Sequence, residues 1–100
     1  MSIKEPLAPL SPGEVLQELY IEPAQLSAGK VAKAIGVPRT RIERLIKGET
    51  TITTDTALRL AQFFGTTPEL WLNMQASWGL SLVEEGLREE ISSIKPLEFA

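Results

Sequence analysis

The 100-residue sequence contains neither cysteine nor histidine. The lack of cysteine excludes a disulfide framework and thiolate metal sites, and the lack of histidine removes the commonest general base and the commonest metal ligand. The sequence also has no phosphate-binding glycine loop and no evident pair of catalytic carboxylates. We therefore expect no metal, no cofactor and no enzymatic activity.

Long hydrophobic runs are missing as well. No apolar stretch approaches the roughly 20 residues that span a bilayer, and the N-terminus lacks the basic-then-apolar pattern of a signal peptide. These absences favour a cytoplasmic protein with no membrane partner. Hydrophobic residues make up 43% of the chain, and a domain of this size buries only about 65% of its unfolded surface. Association with a second copy would therefore add stability.

The charge is low overall but unevenly distributed. The formal net charge is −3, yet residues 27–48 carry six basic side chains and one acidic side chain. This basic segment lies between an acidic N-terminal part and an acidic C-terminal part. A local positive stripe of this kind is typical of a nucleic-acid-binding surface, whatever the sign of the total charge.

Capping residues predict an all-α fold of five or six short helices, and no segment alternates as a strand would. Ser11-Pro12-Gly13-Glu14 matches a capping box with proline in the first turn. Gly36, Gly48, Gly65 and Gly79 are expected to end later helices. The other predicted helix starts are Ser27, Pro38, Thr53 and Thr67, and the apolar residues at helical spacing are Val15, Leu16, Leu19, Tyr20, Val31, Ala32, Ile35, Ile42, Leu45, Ile46, Ala57, Leu58, Leu60, Ala61, Phe64, Leu70, Trp71 and Met74.

The basic segment has the steric pattern of a helix-turn-helix, Ser27–Gly48. Two helices that cross through a tight turn need a small residue where they touch and a turn residue that tolerates positive φ. Ala32 and Gly36 meet these two needs. The apolar packing residues are Val31, Ile35, Val37, Ile42 and Leu45. The predicted organisation is an extended arm at residues 1–10, a helix-turn-helix domain at residues 11–79, and a C-terminal helix and tail at residues 80–100.

The second helix of this motif, Pro38–Lys47, is rich in exposed arginine. The N-terminal residues of a recognition helix reach base edges in the major groove, where arginine can bind guanine bidentately and threonine can contact a thymine methyl. The predicted base readers are Arg39, Thr40 and Arg44. The predicted phosphate contacts are Lys30, Lys33, Arg41 and Lys47. Nearby threonines are interpreted as helix caps in preference to phosphate ligands, and these are Thr51, Thr53 and Thr54.

The C-terminal part of the sequence is the candidate dimer surface. Ser81 and Glu84 fit a second capping box, so a sixth helix is predicted over Ser81–Ile94. A single helix-turn-helix seldom binds DNA tightly alone, and such proteins usually pair to span two half-sites. Trp71 is expected in the core. The residues expected between two subunits are Trp78, Val83, Leu87 and Ile91.

Motifs spread over about residues 11–80 occur in a specific order. They are Ser11–Leu16, Gly36–Arg39, Ile42, Gly48, Thr53–Ala61, Phe64–Thr66 and Trp71–Gln75. Together they resemble the HigA type of antitoxin, the plasmid-maintenance antidote family within the phage-repressor-like (XRE) helix-turn-helix class. The helix-turn-helix alone indicates only the broad class. The opening Pro-Gly-Glu and the late Trp-Leu-Asn-Met-Gln are much more specific.

The resemblance implies a five-helix, lambda-repressor-like domain with a C-terminal extra helix. It implies a homodimer that binds double-stranded operator DNA ahead of its own operon and represses that operon. It also implies a toxin partner of the HigB type, an endoribonuclease that cuts messenger RNA on the ribosome. In this class the first residue of the second helix is often a glutamine that contacts the DNA backbone; here that residue is Ala28, and Lys30 is the candidate substitute.

Three alternatives to an autorepressing antitoxin are considered. A stand-alone repressor without a toxin would share the DNA chemistry, and a small basic reading frame beside the gene would argue against it. An αα-hairpin that binds protein and never DNA would lack the steep salt dependence of DNA binding. An enzyme is the least favoured. A basic toxin would suit the acidic residues of the C-terminal part, which are Glu84, Glu85, Glu89 and Glu90.

Overall fold

The computed structural model describes residues 10–98, and this part of the chain contains helices and no strands. The all-α prediction is therefore confirmed. Residues 1–9 of the predicted arm lie outside the described residues. Among the described helices, none combines the length and the apolarity needed to cross a membrane. The helices are α1 (Pro12–Val15), its π-helical continuation (Leu16–Ile21), α2 (Ala28–Ile35), α3 (Arg39–Ile46), α4 (Thr54–Phe64), α5 (Pro68–Ser81) and α6 (Glu85–Ser92).

The predicted caps at the first five helix starts hold with one exception. In the capping box before α1, the Ser11 hydroxyl accepts from the Glu14 N–H at 3.2 Å and the Glu14 carboxylate accepts from the Ser11 N–H at 3.1 Å. Pro38 precedes α3 without a side-chain cap, because proline has no hydrogen-bonding side chain. The side chains that cap α2, α4 and α5 are those of Ser27, Thr53 and Thr67. The glycines that follow α2, α3 and α4 are left-handed, with φ of 76° at Gly36, 77° at Gly48 and 72° at Gly65.

The first helix widens after one turn. From Leu16 to Ile21 it is π-helical, with backbone hydrogen bonds that span five residues. This wider turn buries both Leu16 and Ile21, which are five residues apart, and leaves Leu19 59% exposed. The prediction that Leu19 belongs to the inward face is wrong, because it assumed the 3.6-residue period of an α-helix.

One core joins the helices. Trp71 is fully buried, as predicted, and its indole N–H donates to the Thr66 hydroxyl at 2.8 Å. The Tyr20 ring lies 5.1 Å from the rings of both Phe64 and Trp71, so aromatic contacts join the π-helical segment to α4 and α5. The other buried apolar residues are Leu16, Ile21, Val31, Ala32, Ile35, Ile42, Leu45, Ile52, Ala57, Leu60 and Ala61.

Gly13 brings α1 into backbone contact with the end of α3. A Cβ atom at this position would overlap the carbonyl oxygen of Leu45 and would come within 2.9 Å of the Ile46 Cα. Only glycine allows so close an approach. The Pro-Gly-Glu motif therefore has a structural reason, since it sets α1 against α3 and helps to fix the position of α3.

The outer faces of α4 and α5 are more apolar than predicted. Leu58 is 54% exposed, because Ala57 and Leu60 face the core and Leu58 lies on the opposite side of α4. Leu70 is also exposed, on the outer side of α5, where Trp71 is the buried residue. Leu58 was predicted within a set of mostly inward-facing residues of α4, and for this leucine the prediction is wrong.

The C-terminal boundaries differ from the prediction. Gly79 does not end α5, which continues to Ser81, and the Ser81 hydroxyl donates to the Trp78 carbonyl at 2.6 Å. The predicted capping box is therefore wrong, because its serine already belongs to α5. Glu84 is the N-cap of α6 without a side-chain hydrogen bond, and α6 is shorter than predicted, Glu85–Ser92.

Candidate nucleic-acid interface

The α2–turn–α3 unit has the predicted helix-turn-helix geometry. Ala32 is buried where the two helices touch, and Gly36 takes the left-handed conformation that the turn requires. The Val37 N–H donates to the Ala32 carbonyl at 3.0 Å, which closes the turn. On α3, Ile42 and Leu45 are buried and fix which face points outward. Helix α3 begins at Arg39 rather than at Pro38, as Pro38 is extended.

A groove runs between the exposed side of α3 and the start of α4, with a volume of about 670 Å³. Two predicted base readers, Thr40 and Arg44, line it, and so does the predicted phosphate contact Arg41. The residues that line the remaining sides are Pro38, Thr50, Thr51, Thr53, Asp55, Thr56 and Arg59. The groove thus presents guanidinium and hydroxyl groups beside the recognition helix, which are groups that bind phosphates and base edges.

Arg39, the third predicted base reader, lies on a different side of α3. Its aliphatic side chain passes beside Gly29 of α2, where a Cβ atom would lie 3.2 Å from the Arg39 Cδ. Its guanidinium pairs with Glu43 at 3.5 Å. The structure therefore brings Thr40 and Arg44 together in the groove and sets Arg39 apart from them, against the first turn of α2.

Each arginine of α3 has a carboxylate partner. The net charge of the basic segment does not indicate these pairs. Arg44 pairs with Glu49 at 3.6 Å, and Arg41 pairs with Asp55 at 2.9 Å, in addition to the Arg39 pair. Glu43 lies within the basic segment, Glu49 directly follows it, and Asp55 belongs to α4. Exposed pairs contribute only about 0–1 kcal/mol each, and each uses one nitrogen of a guanidinium group that has five N–H donors. The ion pairs therefore orient the arginine side chains and leave N–H donors that can bind a phosphate or a base.

Asp55 and Arg59 are residues of this site that were not predicted from the sequence. The Asp55 carboxylate accepts from Arg41 at 2.9 Å and from Arg59 at 3.0 Å, and Arg59 also donates to the Ile35 carbonyl at 2.7 Å. The hydrogen bond from Arg59, followed by that from Arg41, holds the pKa of Asp55 below its ordinary value against the effect of burial. The i, i+4 spacing of Asp55 and Arg59 was the available signal.

The predicted lysine contacts are exposed and lie at the edges of the unit. Lys30 and Lys33 project from α2, and Lys47 follows the last turn of α3. Ala28 is the first residue of α2, as the sequence implied, and it is half-buried against the core. Lys30 lies two residues beyond it, and its N–H donates to the Ser27 hydroxyl at 3.1 Å.

Gln75 supports the loop that borders the groove. Its side-chain oxygen accepts from the N–H of buried Ile52 at 2.9 Å, so α5 is bonded to the segment between α3 and α4. Thr50 and Thr51 precede Ile52 on the groove wall, and Thr53 follows it as the cap of α4. Gln75, the last residue of the Trp-Leu-Asn-Met-Gln motif, therefore stabilises the loop that forms one wall of the groove.

The candidate dimer residues leave an apolar surface uncovered in one chain. Trp78 and Val83 are half-buried, whereas Leu87 is 46% exposed and Ile91 is 51% exposed. Helix α6 buries no residue in the described chain, although one face of it is apolar. Apolar residues of the same region with larger exposed fractions are Leu80, Leu82, Ile94 and Leu97.

The chain is similar to proteins of known family over most of its length. A family model described as helix-turn-helix matches residues 17–71. Virulence-associated protein I of Dichelobacter nodosus is 40% identical over 94 residues, which is 94% of this chain and 86% of that protein. The solved structure of an addiction module antidote protein of the HigA family from Coxiella burnetii is 38% identical with a TM-score of 0.82, and covers 91% of this chain and 100% of its own.

A second solved structure has DNA bound. It is described as antitoxin GraA in complex with its operator. It is 32% identical to this chain with a TM-score of 0.81, and the match covers 98% of this chain and 100% of that one. The likeness therefore extends across the helix-turn-helix and both C-terminal helices.

Proposed function

Because this chain belongs to the helix-turn-helix family and, within it, to the HigA type of antitoxin, we propose that it binds operator DNA as a homodimer, represses its own operon and neutralises an mRNA-cleaving toxin of the HigB type. This activity is cytoplasmic, because the operator DNA of a bacterium lies in the cytoplasm. It is a binding function and needs no catalysis, metal or cofactor.

The groove between α3 and α4 carries the proposal for DNA. Thr40, Arg41 and Arg44 line it, on the side of α3 that the buried Ile42 and Leu45 leave exposed. A recognition helix in the major groove would bring Thr40 and Arg44 to base edges. Arg41, Lys30, Lys33 and Lys47 would then contact phosphates and fix the register of the helix.

The apolar surface of α5 and α6 supports a homodimer. An amphipathic helix of eight residues is too short to be stable without packing, yet α6 buries no residue in the described chain. A second copy would cover Leu87 and Ile91 and would set two recognition helices apart. Two half-sites one helical turn apart require about 34 Å between them.

A DNA-binding titration tests the first part of this proposal. Fluorescence anisotropy compares a duplex from the region upstream of the chain's own gene with a scrambled duplex of equal length and composition. We expect tighter binding to the upstream duplex, and a decrease in affinity with salt of about one log–log unit for each phosphate contacted. Equal affinity for both duplexes would contradict operator binding.

A co-expression experiment tests the toxin part separately. The product of the neighbouring small basic reading frame is produced with this chain, and the complex is purified and assayed for messenger RNA cleavage. We expect a stable complex without cleavage, and cleavage once the chain is removed. Operator binding without any such complex would favour the stand-alone repressor instead.

A further inference from the structure

The groove side of the domain contains a chain of contacts that joins three helices. The Arg59 guanidinium donates from Nη1 to the Ile35 carbonyl at 2.7 Å, which is at the end of α2. The same guanidinium donates from Nε to Asp55 Oδ2 at 3.0 Å, and this oxygen also accepts from Arg41 Nη1 of α3 at 2.9 Å. One carboxylate oxygen thus links α3 to α4, and one arginine links α4 to α2.

These contacts orient side chains more than they stabilise the fold. Arg41, Asp55 and Arg59 have side chains that are 43%, 55% and 42% exposed, so the ion pairs themselves add little to stability. A guanidinium is planar with donors in fixed directions, and Arg59 uses two different nitrogens for two helices. The Arg59 guanidinium therefore fixes where the Asp55 carboxylate lies. The Asp55 carboxylate in turn fixes the direction in which the Arg41 side chain points.

Arg41 keeps free donors in this arrangement. A guanidinium has five N–H donors, and the contact with Asp55 uses Nη1. Arg41 lines the same groove as Thr40 and Arg44 and lies beside the start of α4. Two guanidinium groups share one carboxylate, so the cluster keeps a positive charge that suits a phosphate.

We propose that Asp55 and Arg59 are positioning residues that hold Arg41 for one backbone phosphate of the operator and so fix the register of α3 in the groove. The inference rests on the proposed DNA-binding function. A held arginine fits the phosphate of a correctly docked operator, whereas a free arginine would reach phosphates of any duplex. The pair therefore favours operator DNA over other DNA, although neither residue reads a base.

A double-mutant cycle tests the proposal. Asp55→Asn, Arg41→Ala and the double variant are titrated against the upstream duplex and the scrambled duplex, with folding checked by thermal unfolding. We expect Asp55→Asn to weaken operator binding about five- to tenfold and not to weaken scrambled binding. In the Arg41→Ala background, Asp55→Asn should no longer weaken operator binding, because the residue it positions is gone.

Two further variants separate positioning from charge and folding. Arg59→Lys keeps the charge but cannot reach both Asp55 and the Ile35 carbonyl, so it should reproduce the loss of operator preference even where Asp55→Asn is poorly folded. Glu69→Gln is the matched control. Glu69 occupies the position in the first turn of α5 that Asp55 occupies in α4, and this change should leave the preference unchanged.

The outcomes distinguish this inference from the proposed function. The inference is overturned if Asp55→Asn changes both affinities by the same factor, or if it weakens operator binding equally with and without Arg41. If the wild-type chain still prefers the upstream duplex in either case, the proposed function stands. A wild-type chain without that preference overturns the proposed function itself.

Discussion

Gly13 lies so close to Leu45 that a methyl group on its α-carbon would overlap the Leu45 carbonyl oxygen. This contact sets the backbone of α1 against the end of the recognition helix α3. The obstacle is backbone on both sides, so no flexible side chain can move away. The relationship makes the first turn of the domain a structural support of the proposed DNA-reading surface.

Gly13→Ala is therefore expected to destabilise the fold. Overpacking against backbone costs about 1–3 kcal/mol, which lowers the midpoint of thermal unfolding by about 4–8 °C per kcal/mol in a domain of this size. Gly86→Ala is the control, because its added Cβ meets open space in the first turn of α6 and alanine is the better helix former. A Gly13→Ala variant as stable as the wild type would contradict the contact.

Gln75→Leu is expected to loosen the loop between α3 and α4. The change removes the acceptor of the buried Ile52 N–H, and a buried donor without a partner costs about 1–3 kcal/mol. Hydrogen exchange of the Ile52 amide measures the effect directly, and exchange should become much faster. Gln75→Glu keeps an acceptor oxygen and should retain most of the protection. Equal exchange in both variants would show that this side chain does not hold the loop.

The sequence predicted the helix starts well because a cap depends on a few neighbouring residues. Ser11 with Glu14, Ser27, Thr53 and Thr67 all cap as expected. Predictions failed where geometry departs from the ordinary helix. The burial of Leu16 and Ile21 and the exposure of Leu19 follow from a π-helical turn, and no local residue pattern indicated that turn.

The candidate site was only partly predictable, for a related reason. Helical periodicity placed Thr40 and Arg44 on the outer side of α3, and both line the groove. The contacts of Asp55 and Arg59 with α3 and α2 depend on how separate helices cross. Spacing within one helix cannot reveal such contacts. The site is therefore encoded in part by tertiary packing.

Asp55 is expected to titrate below the ordinary aspartate range. The hydrogen bond from Arg59, with that from Arg41, favours the charged form and lowers its pKa. A group with a lowered folded pKa stabilises the fold above its unfolded pKa of about 3.9, and this stabilisation is lost as the pH falls through the folded pKa. Asp55 is the single aspartate of the sequence, so carboxyl NMR titration identifies it without ambiguity. The pKa should rise in Arg59→Gln, and an unchanged value would contradict the pairing.

Leu87→Glu combined with Ile91→Glu is expected to disrupt the proposed homodimer. The two residues lie one turn apart on α6 and are about half exposed in one chain, and a second copy would have to bury the new charges without partners. Analytical ultracentrifugation should show monomers, with weaker operator binding. Leu58→Glu is the control, because this leucine is equally exposed on α4, away from α6. A dimer that survives the double change would move the interface elsewhere.

The acidic residues of the C-terminal part give a prediction for the toxin. Replacing Glu84, Glu85, Glu89 and Glu90 by glutamine is expected to weaken a purified complex with a basic toxin, because all four are exposed and like-charged. Titration at two salt concentrations measures the effect, which should shrink as salt screens the charges. Unchanged affinity at low salt would show that the toxin binds another surface.

Arg44→Ala and Lys47→Ala are expected to weaken DNA binding in different ways. Arg44 lies in the groove beside Thr40, so its loss should cost about 1–3 kcal/mol of operator binding and relax the preference at one base pair. Lys47 follows α3 as its exposed C-cap, so Lys47→Ala should weaken binding to operator and scrambled duplexes alike and reduce the salt slope by about one unit. Competition titrations against every single-base variant of the operator distinguish the two effects. If Arg44→Ala weakens all of these duplexes by one common factor, Arg44 contacts phosphate, and base reading has to come from Thr40 and from Arg39 beside α2.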